Sequence, residues 1–148
     1  MWGAQTGKTL WEMTTLIRAG VKYWGKAFGF FFPGYDLPDK YSTHRFKPFV
    51  ESHPEFKKWL GKRELDDKSD NSKRVRTFGP SRFEFLSTKG LLATEGTPFK
   101  GIMFDEVRRM IPSDIQRAEK RISHQIEPFN HKVSTPRYPD SDIHRYFK

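Results

Sequence analysis

Residues 21–34, "VKYWGKAFGFFFPG", set aromatic rings, glycines and lysines side by side in one short segment. The apolar positions leading into it recur at steps of three and four: Leu10, Met13, Ile17, Val21, Trp24, Phe28 and Phe31. At about 100° per residue they form one helical stripe, and Arg18, Lys22 and Lys26 fall together on the opposite side. Thr9 suits an N-cap, with Glu12 completing a capping box, and Pro33-Gly34 ends the pattern. The spacing therefore predicts one basic amphipathic helix from Leu10 to Phe32. Gly20, Gly25 and Gly29 each weaken such a helix by roughly 1 kcal/mol, so it needs a partner surface. The uninterrupted apolar run Ala27–Phe32 is far below the roughly 20 residues of a membrane span, and three cations would lie in any longer window. Charges interleaved with rings do not fit a secretory signal. A basic amphipathic segment near Met1 is similar to a mitochondrial targeting sequence, here expected to be retained in the mature chain. Two uses remain for the helix: packing on a protein core, or lying at a membrane interface with rings inward and lysines toward headgroups. Its expected lipid or partner face is Ile17, Val21, Trp24, Phe28 and Phe31, with Arg18, Lys22 and Lys26 toward acidic groups or phosphates.

The composition is read the same way. Among 148 residues only 35% are hydrophobic, yet 16% are aromatic and 14 are Phe; the mean hydropathy is −0.78. Rings separated by charge and proline suit a subunit that buries them in neighbours rather than in an aliphatic core of its own. A net charge of +9 predicts attraction to nucleic acid, anionic membrane or acidic protein. No cysteine is present, so disulfides, thiolate metal sites and cysteine nucleophiles are excluded.

Beyond the first segment (1–36), residues 37–86 read as loop-rich. Pro38–Pro48 is an expected extended linker, and a short helix is expected over 52–60, capped by Ser52 and Glu55, with Phe56, Trp59 and Leu60 as its apolar face. Residues 62–76 form a charged loop, and Arg82–Leu86 alternate as a short strand would. A helical segment is expected over 87–126, opening at Asp105–Met110, broken at Ile111-Pro112 and resuming from Ser113 with Ile115, Ala118, Ile122 and Ile126 on one face. Residues 127–148 carry Pro128, Pro136 and Pro139 without periodicity and read as an extended tail. The expected fold is mostly α: an elongated, non-compact helical subunit with long loops.

Catalytic signatures are not found by this reading. "GAQTGKT" (Gly3–Thr9) approaches a phosphate-binding loop, but Trp2 stands where the pattern G-x-x-x-x-G-K-[ST] needs its first glycine, and no strand precedes it. The loop is therefore rejected. His44, His53, His124, His131 and His144 lack metal-ligand spacing, Asp66-Asp67 lies in a charge run, and G-x-S-x-G is absent. A non-catalytic chain with no metal and no cofactor, other than a structural phospholipid such as cardiolipin, is expected.

Gly90-Leu91, the run Val107-Arg108-Arg109-Met110-Ile111-Pro112, Arg117, Arg121 and the Tyr146-Phe147 ending resemble subunit seven of mitochondrial cytochrome bc1, the ubiquinol-cytochrome c reductase binding protein. That resemblance covers about the last 60 residues. It implies a non-catalytic accessory subunit of a respiratory-chain, electron-transport complex, peripheral to the mitochondrial inner membrane. Arg108, Arg109, Arg117, Arg121, Tyr146 and Phe147 would contact other subunits, and the N-terminal helix would meet anionic headgroups. An accessory subunit of ATP synthase or of the NADH dehydrogenase complex is an alternative. Another is a mitochondrial ribosomal protein, since basic residues alternate with rings in "THRFKPF" and "RVRTFGPSRF", as in RNA binders.

Overall fold

The computed structural model describes residues 6–57, 73–89 and 98–134. The stretch that opens the sequence is not one helix. Helix α1 runs Thr6–Lys22 and stops there. Gly25, at φ +80°, turns the chain in a backbone conformation that only glycine adopts without strain. Strand β1, Ala27–Phe32, follows, and all of it except Ala27 is buried. Phe28 and Phe31 therefore belong to a strand. The stripe linking them to α1 runs across two elements of different period. The buried face of α1 is Glu12, Met13, Leu16, Ile17, Ala19 and Gly20, while Leu10 and Val21 are exposed.

Strand β1 sits at the centre of a five-stranded sheet with order β2-β3-β1-β4-β5. The others are β2 (Val75–Phe78), β3 (Ser81–Ser87), β4 (Gly101–Asp105) and β5 (Phe129–Val133). β1 pairs in parallel with β3, setting Phe30 beside Phe85, and with β4, setting Phe31 beside Phe104. β4 pairs in parallel with β5, and only β2 runs antiparallel, against β3. A parallel strand covered on both faces has no polar side to show. Hence "FGFFF" reads as a continuous apolar run.

The residues of β1 alternate between two cores. Phe28, Phe30 and Phe32, with Phe83, Phe85 and Met103, pack against α1 and the helical segment after β1. Phe31, with Ile102 and Phe104, packs on the opposite face against Val107, Met110, Ile115, Ala118 and Ile122. Helical layers thus cover both faces of the sheet. The fold is α/β, not mostly α, and Phe28 and Phe31, rings expected to seek neighbours, fill the chain's own interior, while Trp24 is exposed.

The expected linker Pro38–Pro48 is helical: α2 (Leu37–Tyr41), a π-helical turn (Ser42–Phe46) and α3 (Lys47–Glu51) run on without a break. Ser52 ends α3 instead of opening the helix expected over 52–60. A short α4 (Pro54–Lys57) follows, and residues 58–72, with Trp59 and Leu60, lie outside the described residues. Arg76, expected in the charged loop, is fully buried in β2 and donates from Nε to Ser42 Oγ at 2.9 Å. Asp105–Met110 is not a helix opening: Asp105 ends β4, and a 3₁₀ turn (Val107–Arg109) follows Glu106. α5 (Pro112–Glu119) and a 3₁₀ turn (Lys120–Ile122) carry the Ile115, Ala118 and Ile122 face, whereas Ile126 is exposed. Part of the expected tail is strand β5. Among the described residues no helix is long and apolar enough to cross a membrane.

Candidate functional site: a cleft at the strand ends

In sheets of this kind, loops and helix N-termini at the carboxyl ends of parallel strands form the binding crevice. Here β1 ends at Phe32 and β4 at Asp105, and both border a cleft of about 620 Å³ with the first turn of α1. Its wall also holds Lys8, Thr9, Lys40, Tyr41, His44, Arg45, Glu106, Arg108 and Arg109. Five lysines and arginines against two carboxylates make this a cleft for an anion.

The centre of the cleft is an ion-pair cluster spanning α1 and β4. Lys8 Nζ contacts Asp105 Oδ1 and lies 2.6 Å from Glu106 Oε1. Burial works to lower the Lys8 pKa, but hydrogen bonds to Asp105 and Glu106, and their charges, outweigh it and hold the ammonium above its usual value. Glu106 Oε2 accepts a further hydrogen bond from Arg108 Nε at 3.1 Å. Glu106 itself has φ 56° and ψ 47°, a left-handed conformation unusual for a residue with a side chain. Backbone strain of this kind costs on the order of 1–3 kcal/mol and concentrates at functional sites.

One turn beyond Lys8, Glu12 is fully buried and its Oε2 accepts from the Tyr41 hydroxyl at 3.3 Å. Burial first, and then the Asp105 charge, push the Glu12 carboxyl up to about 8, partly opposed by Lys8. Tyr41 is shifted upward by burial and by the Glu12 charge. Arg45 reaches α1 from the π-helical turn, its Nη1 donating to Thr9 Oγ1 at 2.9 Å. The N-terminus of α1 adds N–H groups without a helical partner and a positive dipole end, both of which favour an anion.

Of the residues singled out from sequence, the structure brings Arg108 and Arg109 to this cleft. Ile17, Phe28 and Phe31 are 4%, 0% and 0% exposed in the chain's own core and offer no face to lipid. Val21 and Trp24 are exposed, as are Arg18, Lys22 and Lys26. Arg117 pairs with Asp114, and Arg121 is buried with its guanidinium over the Phe99 ring at 3.9 Å. Tyr146 and Phe147 lie outside the described residues. The residues at the centre, Lys8, Thr9, Asp105 and Glu106, are not among the sites expected from sequence. Two signals point to them. "GKT" opens an amphipathic helix, and "GIMFDE" is an apolar strand ending in two acids.

Such a cleft, with a lysine of a Gly-Lys-Thr helix start meeting an Asp-Glu strand end, defines an α/β domain with a basic, anion-suited site at the carboxyl ends of its parallel strands. The family model "Phage terminase large subunit gpA, ATPase domain" matches residues 1–146, and the chain belongs to that family. Among solved structures, the large terminase of a thermophilic bacteriophage superposes with a TM-score of 0.71 at 18% identity, over 96% of this chain and 34% of that one. The ATPase domain of the Thermus phage P74-26 large terminase gives 0.64 at 20% identity, over 91% of this chain and 57% of that one. The chain thus spans about a third of the length of the first of these terminases. No curated protein matches at a significant level. The family overturns the cytochrome bc1 resemblance, together with the mitochondrial inner-membrane location, the respiratory-complex partners and the ribosomal and ATP-synthase alternatives. It also replaces the expectation of a non-catalytic chain with membership of an ATPase-domain family.

Proposed function

We propose that this chain binds and hydrolyses ATP in the cleft, as the nucleotide-handling part of a phage DNA-packaging machine. The contact of Lys8 with both Asp105 and Glu106 carries the proposal. It joins the start of α1 to the end of β4, where a phosphate-binding helix and an acidic strand end must meet. In this reading the Lys8 ammonium turns from its carboxylates to the β- and γ-phosphates, and the α1 N–H groups cradle the same oxygens. Glu106, held by Arg108, orients the attacking water.

The donor set fits magnesium. Among the described residues no cluster of three or more His, Asp or Glu could cage a metal, and magnesium beside phosphates takes only one or two carboxylates from the protein. The Thr9 hydroxyl and the Asp105 carboxylate would hold it. When bound, it neutralises charge developing on the phosphate oxygens.

Hydrolysis and binding separate in one experiment. Glu106→Gln should keep ATP affinity within a few-fold while turnover drops by on the order of 10²-fold or more, the scale of removing a positioned base. Phosphate release and nucleotide binding are both measured. Undiminished turnover by Glu106→Gln would remove Glu106 from the chemistry.

A further inference from the structure

The Thr9 hydroxyl already has a cationic partner. Arg45 Nη1 donates to it at 2.9 Å, from a side chain carried by the π-helical turn Ser42–Phe46. Such turns are rare and recur at functional sites, because they change which residues face a neighbouring element. The Arg45 guanidinium also lies 5.9 Å from the Tyr41 ring centre, on the same wall of the cleft. Tyr41 in turn donates to Glu12, so this helical segment touches α1 twice, at Thr9 and at Glu12.

Under the ATP reading, the Thr9 oxygen cannot serve Arg45 and a divalent cation at once. Oxygen ligands lie about 2.1 Å from magnesium. Arg45 in its present place would then stand within a few ångströms of a second cation, and like charges that close repel strongly. Arg45 must leave Thr9, and it leaves as a fixed positive charge, because guanidinium does not deprotonate. The two carboxylates of the cleft are then engaged, Asp105 with the metal and Glu106 with Arg108. Its other neighbours there, Lys40, His44 and Arg109, offer it no carboxylate. The anion that enters with the metal is the partner available to it, and a planar guanidinium fork suits phosphate oxygens.

We propose that Arg45 is a phosphate-sensing residue of this site, holding Thr9 while the cleft is empty and transferring to the terminal phosphate when ATP and magnesium enter. This rests on the ATP reading and adds a residue that discriminates triphosphate from diphosphate. The transfer also gives the α2–α3 segment a reason to shift between the two states, since Arg45 is fixed to its π-helical turn.

The test is equilibrium binding of a non-hydrolysable ATP analogue and of ADP, each with magnesium, to the unaltered protein, Arg45→Ala and Arg45→Gln. A charge-assisted hydrogen bond lost with either variant should weaken the triphosphate analogue by on the order of 10-fold or more. ADP affinity should hold or improve, because the competitor for Thr9 is gone. An analogue-to-ADP affinity ratio that is the same in all three proteins would overturn the sensing role while leaving the ATP reading standing. If the unaltered protein binds neither nucleotide, the ATP reading falls and the sensing role with it. Arg45 is exposed, and matching melts of the three proteins confirm that folding is unchanged.

Discussion

Glu12 holds a carboxyl where water does not reach, and that has a measurable consequence. Its pKa of about 8 in the folded chain exceeds the ordinary value of 4.5. A proton is therefore bound more tightly when folded, and the stability this proton contributes is complete below pH 4.5 and is lost as pH rises through 8. Gln in its place cannot ionise and keeps a group able to accept from Tyr41. Glu12→Gln should match the unaltered protein near pH 4.5 and exceed its stability by on the order of 2–4 kcal/mol at pH 8. Urea melts across that range test this, and a stability difference independent of pH would contradict it. Single residues also show why the site is hard to read from sequence. Lys8 and Thr9 carry the right side chains, but Gly3 stands one position away from the pattern. A template match by spacing alone rejects the stretch, although its Lys8 and Thr9 are the side chains that the proposed function brings to phosphate and magnesium. Asp105 and Glu106 are visible as acids, yet they look like the opening turn of a helix because the strand before them is short.

At the scale of elements, the misreading and its cause lie in the same segment. A stripe at steps of three and four continues from α1 into β1 because Phe28 and Phe31 are spaced by three. A strand buried on both faces shows no alternation to contradict a helix. Gly25 is the available signal: weak in a helix by propensity, it is in fact the turn. The Arg82–Leu86 alternation and the Ile115, Ala118 and Ile122 face are legible because each has a polar side, in β3 and in α5 with the 3₁₀ turn that follows it. Pro38 and Pro48 suggest a linker, yet Pro38 sits in the first turn of α2, where a missing N–H costs nothing, and Pro48 follows the π-helical turn inside one continuous helical segment. The joint between α1 and the sheet makes a further prediction. A Cβ on Gly20 would stand 2.6 Å from the tip of the Phe83 ring, which is itself buried in the core. Gly20→Ala gains roughly 1 kcal/mol of helix propensity but overpacks by about 1–3 kcal/mol, so a net loss of stability is expected. Chemical denaturation measures it. A more stable variant would show that α1 is free to move off β3.

For the whole molecule, aromatic richness and low aliphatic content have one explanation. Ring pairs such as Phe31–Phe104 and Phe30–Phe85, 5.3 and 6.1 Å apart, supply both cores with area that Leu and Val would otherwise provide. The sheet then sets Asp105 and Glu106 opposite the start of α1, and the basic residues gathered there make an anion site. In the function proposed for that site, Lys8 exchanges two carboxylates for phosphates. The most direct measurement is the melting temperature of the unaltered protein and of Lys8→Ala, with and without ATP and magnesium. Ligand at about 100 times its dissociation constant should stabilise the unaltered protein by about 2.7 kcal/mol, a rise on the order of 5–10 °C. Lys8→Ala should show almost none of that rise. Equal shifts in the two proteins, or no shift in the unaltered one, would contradict the account.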